Sequence, residues 1–353
     1  TRATSAGPLT SKMMTECLES AAEKENVLIL DRLLAVAVIK DENRALGLLC
    51  LDKSQNCRFV AIKCENIIWA TGGPAGIYNN TVYPIGHTGS NGVAFEAGVK
   101  GRNLTEWQYG LASVSPRWNV SGTYMQVLPR FVSVDKNGNE HEFLSEYFSD
   151  IGECLTKIFH KGYEWPFDCK KAKDGSSAID LLVYRESVLK NRKVYLDFTR
   201  NPLCLKELPF DKADAQTMYY LKTAEACFGT PIERLEHMNL PAYELYKNKG
   251  VDLETERLEI SLCAQHNNGG LDVDMWWQTN LPHFFAAGEA AGSHGIYRPG
   301  GSALNAGQVG SFRAAQFIGE RYKEITVSDE EFFKALGNTL EEHLDLCNNV
   351  LKN

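Results

Sequence analysis

The opening eighty residues switch between two hydrophobic rhythms. In GPLTSKMMTECLESAAEKEN, Met13, Cys17, Leu18 and Ala21 recur near helical spacing. The following VLILDRLLAVAVIKDENRALGLLCLDK has apolar runs interrupted by an Asp-Glu-Asn turn. These patterns predict a helix and then a meander: a strand from Val27, a turn, a second strand, and a third in FVAIKC. The apolar run NIIWATGG reads as a buried strand that stops at a double glycine. After the loop to Ile85, TGSNGVAFEAGVKG predicts a Gly-rich turn opening a helix that Gly98 or Gly101 ends. Backbone amides at such a turn suit an anion or a polar ring edge.

From about Pro129 to Leu262 charges and aromatics become denser, with an alternating segment KVYLDFT and a helical one DAQTMYYLKTAEACF. The small-residue texture returns at Cys263 with GGLDVD and the strand HFFAAGE, followed by a helix from an N-cap at Ser302 to about Tyr322. In the tail, Ser328 and Glu331 form a capping box before Phe333, Leu336, Leu340, Leu344, Cys347 and Leu351, spaced by three and four. An amphipathic helix there needs a surface to pack on. The resulting organisation is a first segment 1–128, an inserted α+β domain 129–262, a second segment 263–323 continuing the first, and the start of a helical region 324–353.

The 353 residues suffice for two or three domains, and the net charge of -8 excludes the basic footprint expected of nucleic-acid or anionic-membrane binding. Ten cysteines occur without C-x-x-C pairs or zinc spacing, which predicts no metal site and reduced thiols in a cytoplasmic protein. Cys50, Cys57 and Cys64 recur every seven residues on the two hairpin strands, where they read as small buried hydrophobes. No apolar stretch reaches bilayer length, and no signal peptide opens the chain.

Between Gly288 and Phe312 the sequence GEAAGSHGIYRPGGSALNAGQVGSF sets seven glycines around one cation, Arg298. Taken in order with NIIWATGG, QHNNGGLDVD and LPHFFAAGE, this stretch resembles the succinate dehydrogenase/fumarate reductase flavoprotein family. The likeness runs from Gly7 to about Ile318. It implies an α/β plus α+β protein: a partial Rossmann-like FAD-binding domain, an inserted capping domain in the 129–262 region, and the start of a C-terminal helical domain. It further implies FAD as cofactor, hydride transfer between flavin and a small carboxylated substrate such as an unsaturated acid, and an electron-transfer partner. Such proteins begin with a βαβ unit carrying G-x-G-x-x-G, whose glycines let the backbone approach a pyrophosphate. No such motif precedes Thr1, so the expectation is a middle piece that lacks most of the adenosine and pyrophosphate site and retains no FAD by itself.

The resemblance assigns Ala70, Thr71, Gly72, Gly73, Glu289, Gly301, Ser302 and Leu304 to the flavin, together with Gly300. Glu289 would accept hydrogen bonds from flavin-chain hydroxyls. The helix after Gly301 would turn its positive end toward the reduced ring. Arg298 would grip a substrate carboxylate, which a planar guanidinium fits better than lysine does. His266 would bind a substrate carboxylate or polarise the bond being reduced, with His294 behind it. The bland readings are a tight turn at 70–73, a capping Glu289, a surface ion pair at Arg298 and a structural His266.

Departures from the family accompany these matches. EWQYGLAS has Gly110 where the family's dicarboxylate reductases carry a histidine, and NGNEHEFL has Glu140 and His141 near the place of the proton-donating arginine. Arg117 and Arg130 are substitute candidates, and the family's Thr-Gly-Asp-Gly becomes TGSNG. A non-catalytic flavoprotein or electron-transfer module is therefore a second reading. A third is a larger, ring-bearing substrate stacked on Trp107 and Trp118, for which a core role is preferred.

Overall fold

The computed structural model describes residues 6–84, 87, 90–298 and 301–352. The chain divides into two compact units. One takes the residues up to Leu18, Tyr78–Tyr83 and Gln108–Gln265; the other takes Glu19–Ile77, Pro84–Trp107 and His266 onward. The change of texture at 129–262 lies wholly within the Gln108–Gln265 stretch.

The second of these units carries a three-stranded antiparallel meander: β1 (Leu33–Lys40), β2 (Ala45–Asp52) and β3 (Arg58–Lys63), in that order. Asp41 builds the first turn, its Oδ1 accepting from the amides of Asn43 at 2.7 Å and Arg44 at 2.8 Å, an Asx turn of the kind short acidic side chains favour. Gly47 pairs with Lys63, and a Cβ there would run into the Ile62 carbonyl, so the close approach of β2 and β3 requires glycine.

Val27–Leu30, expected to open the meander, form no strand and are each at least half exposed. The backbone reverses at Asn26 and Arg32, both at positive φ, and no described strand pairs with the residues between. Of the three cysteines, Cys50 is buried on β2, Cys64 is half-buried after β3, and Cys57 is exposed in the turn, so only the first behaves as a core residue.

β4 (Ile67–Trp69) pairs in parallel with β13 (Phe284–Ala286), placing Ile67 opposite Phe284 and Trp69 opposite Ala286. Ile67 and Trp69 are buried while Ile68 is 43% exposed, so this strand is covered on one face rather than both. Short β5 (Gly101–Arg102) pairs with β12 (Gly270–Leu271), and the Asn91–Glu96 helix ends at Gly98 with φ +88°.

The tail forms the Asp329–Lys352 helix. Ser328 and Glu331 cap it reciprocally: the Ser328 amide donates to Glu331 Oε2 at 3.0 Å and the Glu331 amide to Ser328 Oγ at 3.2 Å. Its support is the meander, where Phe332 and Ala335, with Leu336 and Leu340 alongside, pack on Ala37, Ile39, Leu46 and Leu49. Phe333 is 63% exposed, because the packed stripe starts one residue earlier than the spacing suggested. Glu65 fixes the entry: Oε1 accepts from the amides of Thr326 and Val327, while Oε2 pairs with Arg44 at 2.9 Å.

The other unit is built on a six-stranded sheet with the order β7 (Trp118–Asn119), β6 (Trp107–Ser113), β11 (Leu258–Asn267), β10 (Lys193–Asp197), β8 (Arg130–Val134) and β9 (Glu140–His141). Helices including Ile151–Lys161, Ala178–Tyr184 and Pro231–Met238 contribute to its core, centred on Leu155, Phe159, Ile179, Leu196 and Tyr246. Arg234 is fully buried without a carboxylate partner among the described residues, and donates to the carbonyls of Val127, Phe228 and Gly229 and to Asn201 Oδ1. Trp118 packs against this core, in keeping with the preferred core role. No helix among the described residues is long and apolar enough to cross a membrane.

Candidate functional site

The glycines between Gly269 and Gly292 make one tight junction. A Cβ on Gly270 would sit 2.5 Å from the Ala290 carbonyl, and one on Gly292 would sit 2.8 Å from the Gly270 amide. Only bare backbone permits this approach, and the Gly292 amide uses it to donate to the Leu271 carbonyl at 2.9 Å. The end of β11 is thereby drawn against the short turn Gly288–Ala290 that carries Glu289.

The end of β4 lies at the same place. The Ala287 amide donates to the Trp69 carbonyl at 3.0 Å, and a Cβ on Gly73 would stand 2.6 Å from the Glu289 carboxyl carbon. Ala70 is exposed, Thr71 and Gly72 are half-buried and Gly73 is buried. His87 lies over Gly72 and bonds through Nε2 to the Thr71 carbonyl. On the far side of the turn, a Cβ on Gly307 would meet the Gly288 Cα at 3.6 Å, so the helix Ser302–Arg321 packs on the turn as well. The two runs of small residues thus flank Glu289 within one unit. Gly301, at φ +78°, is the N-cap of that helix and Ser302 its first residue, a correction of the expected cap at Ser302. An αL cap suits glycine, which has no Cβ to clash there. Leu304 is 37% exposed, and Gly300 lies outside the described residues.

Four ionisable side chains cluster here. Glu289 Oε1 accepts from the Asn267 amide at 2.8 Å. Burial pushes its carboxyl up to about 8, against the opposing pull of that hydrogen bond and of Arg298. His266 is 4% exposed, and burial, then the positive Arg298 and His294, lower its imidazole to about 3. The His266 and His294 rings meet edge to face at 5.1 Å. Arg298 is 3% exposed, and its own shift is downward, from burial. The two residues expected to meet the substrate, Arg298 and His266, therefore share one electrostatic environment with Glu289, expected to hold the flavin.

Several buried polar atoms around this cluster have no hydrogen-bond partner among the described residues: Thr71 Oγ1, Asn91 Oδ1, His266 Nε2 and Asn267 Oδ1. Buried polar groups in folded proteins are normally paired. A ligand with many hydroxyl and ring-edge hydrogen-bonding groups supplies partners, and the glycine junction supplies backbone close enough for a flat one, so these residues fit a flavin. Sequence reasoning passed over Asn91, Asn267 and Asn268. The signal was available, since consecutive asparagines at the end of an otherwise apolar strand oppose β propensity.

Of the substitutes considered for a proton donor, Arg117 approaches the Thr81 carbonyl at 3.5 Å, and the others are paired with charged groups. Arg130 is 5% exposed and held by Glu142 at 2.7 Å, Asp197 at 3.1 Å and Glu140 at 3.2 Å. Glu140 also pairs with Arg257, and His141 faces Asp135 at 3.4 Å. At Gly110, a Cβ would collide with the Trp165 indole. Among the described residues no cluster of His, Cys, Asp or Glu forms a metal site.

Residues 2–304 match the FAD binding domain family. The chain belongs to that family. Membership implies FAD as the cofactor, and the relatives the chain resembles are flavoproteins of the fumarate reductase/succinate dehydrogenase type. It is 24% identical over 317 residues to one of the subunits of the fumarate reductase (CoM/CoB) of Methanothermobacter marburgensis, covering 87% of this chain and 48% of that protein. Among solved structures, FrdA of E. coli quinol fumarate reductase superposes with a TM-score of 0.61 at 21% identity, covering 94% of this chain and 52% of that one. Adenylylsulfate reductase from Archaeoglobus fulgidus gives 0.52 at 16% identity, covering 92% and 52%. At these identities the structures speak for the fold alone. The chain spans about half the length of the curated relatives it matches.

Proposed function

We propose that this FAD-binding chain carries the flavin-side and substrate-side contacts of an oxidoreductase that exchanges hydride with a small carboxylated substrate and passes electrons to a partner protein. The observation that carries the reading is Arg298: a guanidinium only 3% exposed, in the same cluster as two imidazoles and a carboxyl. A planar guanidinium presents parallel N–H donors that match a carboxylate, and burial strengthens such charge-assisted bonds by keeping competing water away.

Bound FAD would supply hydride transfer at its N5. Thr71, Gly72, Gly73, Glu289, Gly301, Ser302 and Leu304 would hold it, with Ala70 at the rim. Glu289 can accept from a hydroxyl when ionised and donate to an acceptor when protonated, and a carboxyl raised to about 8 has both forms within reach of neutral pH. His266, lowered to about 3, is neutral across physiological pH and orients substrate without adding charge.

The test is the natural protein containing this sequence, reconstituted with FAD, reduced with dithionite and offered a panel of unsaturated and substituted acids under anaerobic conditions, with flavin absorbance as the readout. One acid should restore the oxidised spectrum. Arg298→Gln should raise its half-saturating concentration by about 100-fold while flavin content stays unchanged. Reoxidation by no acid, or an Arg298→Gln variant as competent as the parent, overturns the reading and leaves the electron-transfer module.

A further inference from the structure

The side chain of Asn268 is 1% exposed and bridges two segments of its unit. Its Nδ2 lies 3.1 Å from the Ile296 carbonyl, and its Oδ1 lies 3.2 Å from His266 Nδ1. The Asn268 amide is itself anchored on the Glu106 carbonyl at 2.8 Å. Ile296 stands two residues before Arg298, so one amide group ties the imidazole to the segment that presents the guanidinium.

The chemistry of the bridge fixes every proton in it. A backbone carbonyl can only accept, so the Asn268 NH2 must face Ile296, and the oxygen must face the ring. An amide oxygen can only accept as well, so His266 Nδ1 must carry the hydrogen. A neutral imidazole has one N–H, which leaves Nε2 with its lone pair bare. That Nε2 is buried and has no partner among the described residues; the nearest carboxylate oxygen, Glu289 Oε1, is 3.9 Å away, beyond hydrogen-bonding distance. His266 thus offers an acceptor, where a substrate carboxylate would need a donor. This revises the expected contact between His266 and a carboxylate.

We propose that Asn268 is a positioning residue that holds His266 as its Nδ1–H tautomer, and that the acid bound at Arg298 carries, besides its carboxylate and the unsaturated bond that takes hydride, a hydroxyl whose O–H donates to His266 Nε2, so that its saturated product is a hydroxy acid of the malate kind. The inference rests on the reading that an acid binds at Arg298. A hydroxyl fits better than an ammonium, because Arg298 already supplies a positive charge and its field disfavours charge on both neighbouring imidazoles. An acid lacking the donor leaves a buried acceptor unpaired, which binding sites built on hydrogen bonds reject strongly.

The experiment uses the FAD-reconstituted natural protein and two readouts. Long-range 1H–15N correlation spectra of histidine-labelled protein, with His266 assigned by its loss in His266→Gln, should show Nδ1–H and a bare Nε2 between pH 5 and 8. Calorimetry with three acids of one skeleton should find L-malate binding at least about tenfold tighter than succinate and tighter than L-aspartate. Asn268→Leu should reduce the malate preference to within about twofold. Asn268→Asp, which keeps an oxygen for the ring but loses the donor to Ile296, should keep the tautomer and weaken all three acids alike.

An Nε2–H or doubly protonated His266 in the parent protein overturns the positioning role whether or not the variants fold. Succinate binding as tightly as malate overturns the substrate class. Binding of none of the acids overturns the function proposed above together with that class, while the nitrogen spectrum still decides the tautomer.

Discussion

Replacing Glu289 by glutamine should change how the stability of the ligand-free chain depends on pH. The folded carboxyl is raised to about 8 from an ordinary 4.5, chiefly by burial. A group whose folded pKa is raised favours folding while it is protonated, and that contribution is lost as pH climbs through the folded value. The wild-type chain should therefore lose stability from about pH 4.5 to about pH 8 on account of this residue. At about 1.4 kcal/mol per unit the full shift corresponds to roughly 5 kcal/mol. The side chain retains 21% of its exposure, so solvent screens part of this, and about 2 kcal/mol is the expected loss. Glutamine has no charge to bury and should match the wild type near pH 4, then exceed it by about 2 kcal/mol at pH 9. Urea unfolding followed by fluorescence between pH 4 and 9 measures the difference. His266 acts with the opposite sign: its folded value of about 3 gives stability above pH 6.5 that fades on acidification, and both proteins share it. Parallel pH profiles for the two proteins would refute the reasoning, since they would mean that Glu289 is as well solvated as an ordinary glutamate.

Three further outcomes follow from the same packing. Gly73→Ala places a Cβ 2.6 Å from the Glu289 carboxyl carbon, and should weaken FAD binding by about tenfold or more, read by flavin fluorescence quenching, with an unchanged far-UV circular dichroism spectrum. Arg234→Met removes the donor to three backbone carbonyls and to the buried Asn201, and should destabilise the unit built on the six-stranded sheet by about 3 kcal/mol in urea unfolding. Ser328→Ala removes one half of the capping box and should cost about 1 kcal/mol, seen as increased hydrogen exchange in the first turn of the Asp329–Lys352 helix.

Local chemistry made much of this architecture legible in advance. The Asp41 turn and the Ser328 capping box each depend on a few adjacent residues, so their sequence signals are complete. Val27–Leu30 misled because apolar character alone promises a strand, whereas a strand also needs a neighbour to pair with. The tail stripe shifted from Phe333 to Phe332 because helix registry is decided by the surface of β1 and β2, which lies far away in sequence. At the site, Glu289 and Arg298 stood out through the glycines around them. Asn268 did not, since its importance comes from three contacts made 2, 28 and 162 residues away along the chain. Likewise nothing near Arg130 announces the three carboxylates that absorb its charge.

The indole of Trp165 against Gly110 constrains which side chains these two positions can hold. A histidine introduced at position 110 by a single change would find its space taken, and a smaller residue introduced first at position 165 would leave a void with nothing to fill it. Each change is harmful without the other. Any side chain at position 110 therefore depends on what stands at position 165, and the two positions behave as one unit of substitution.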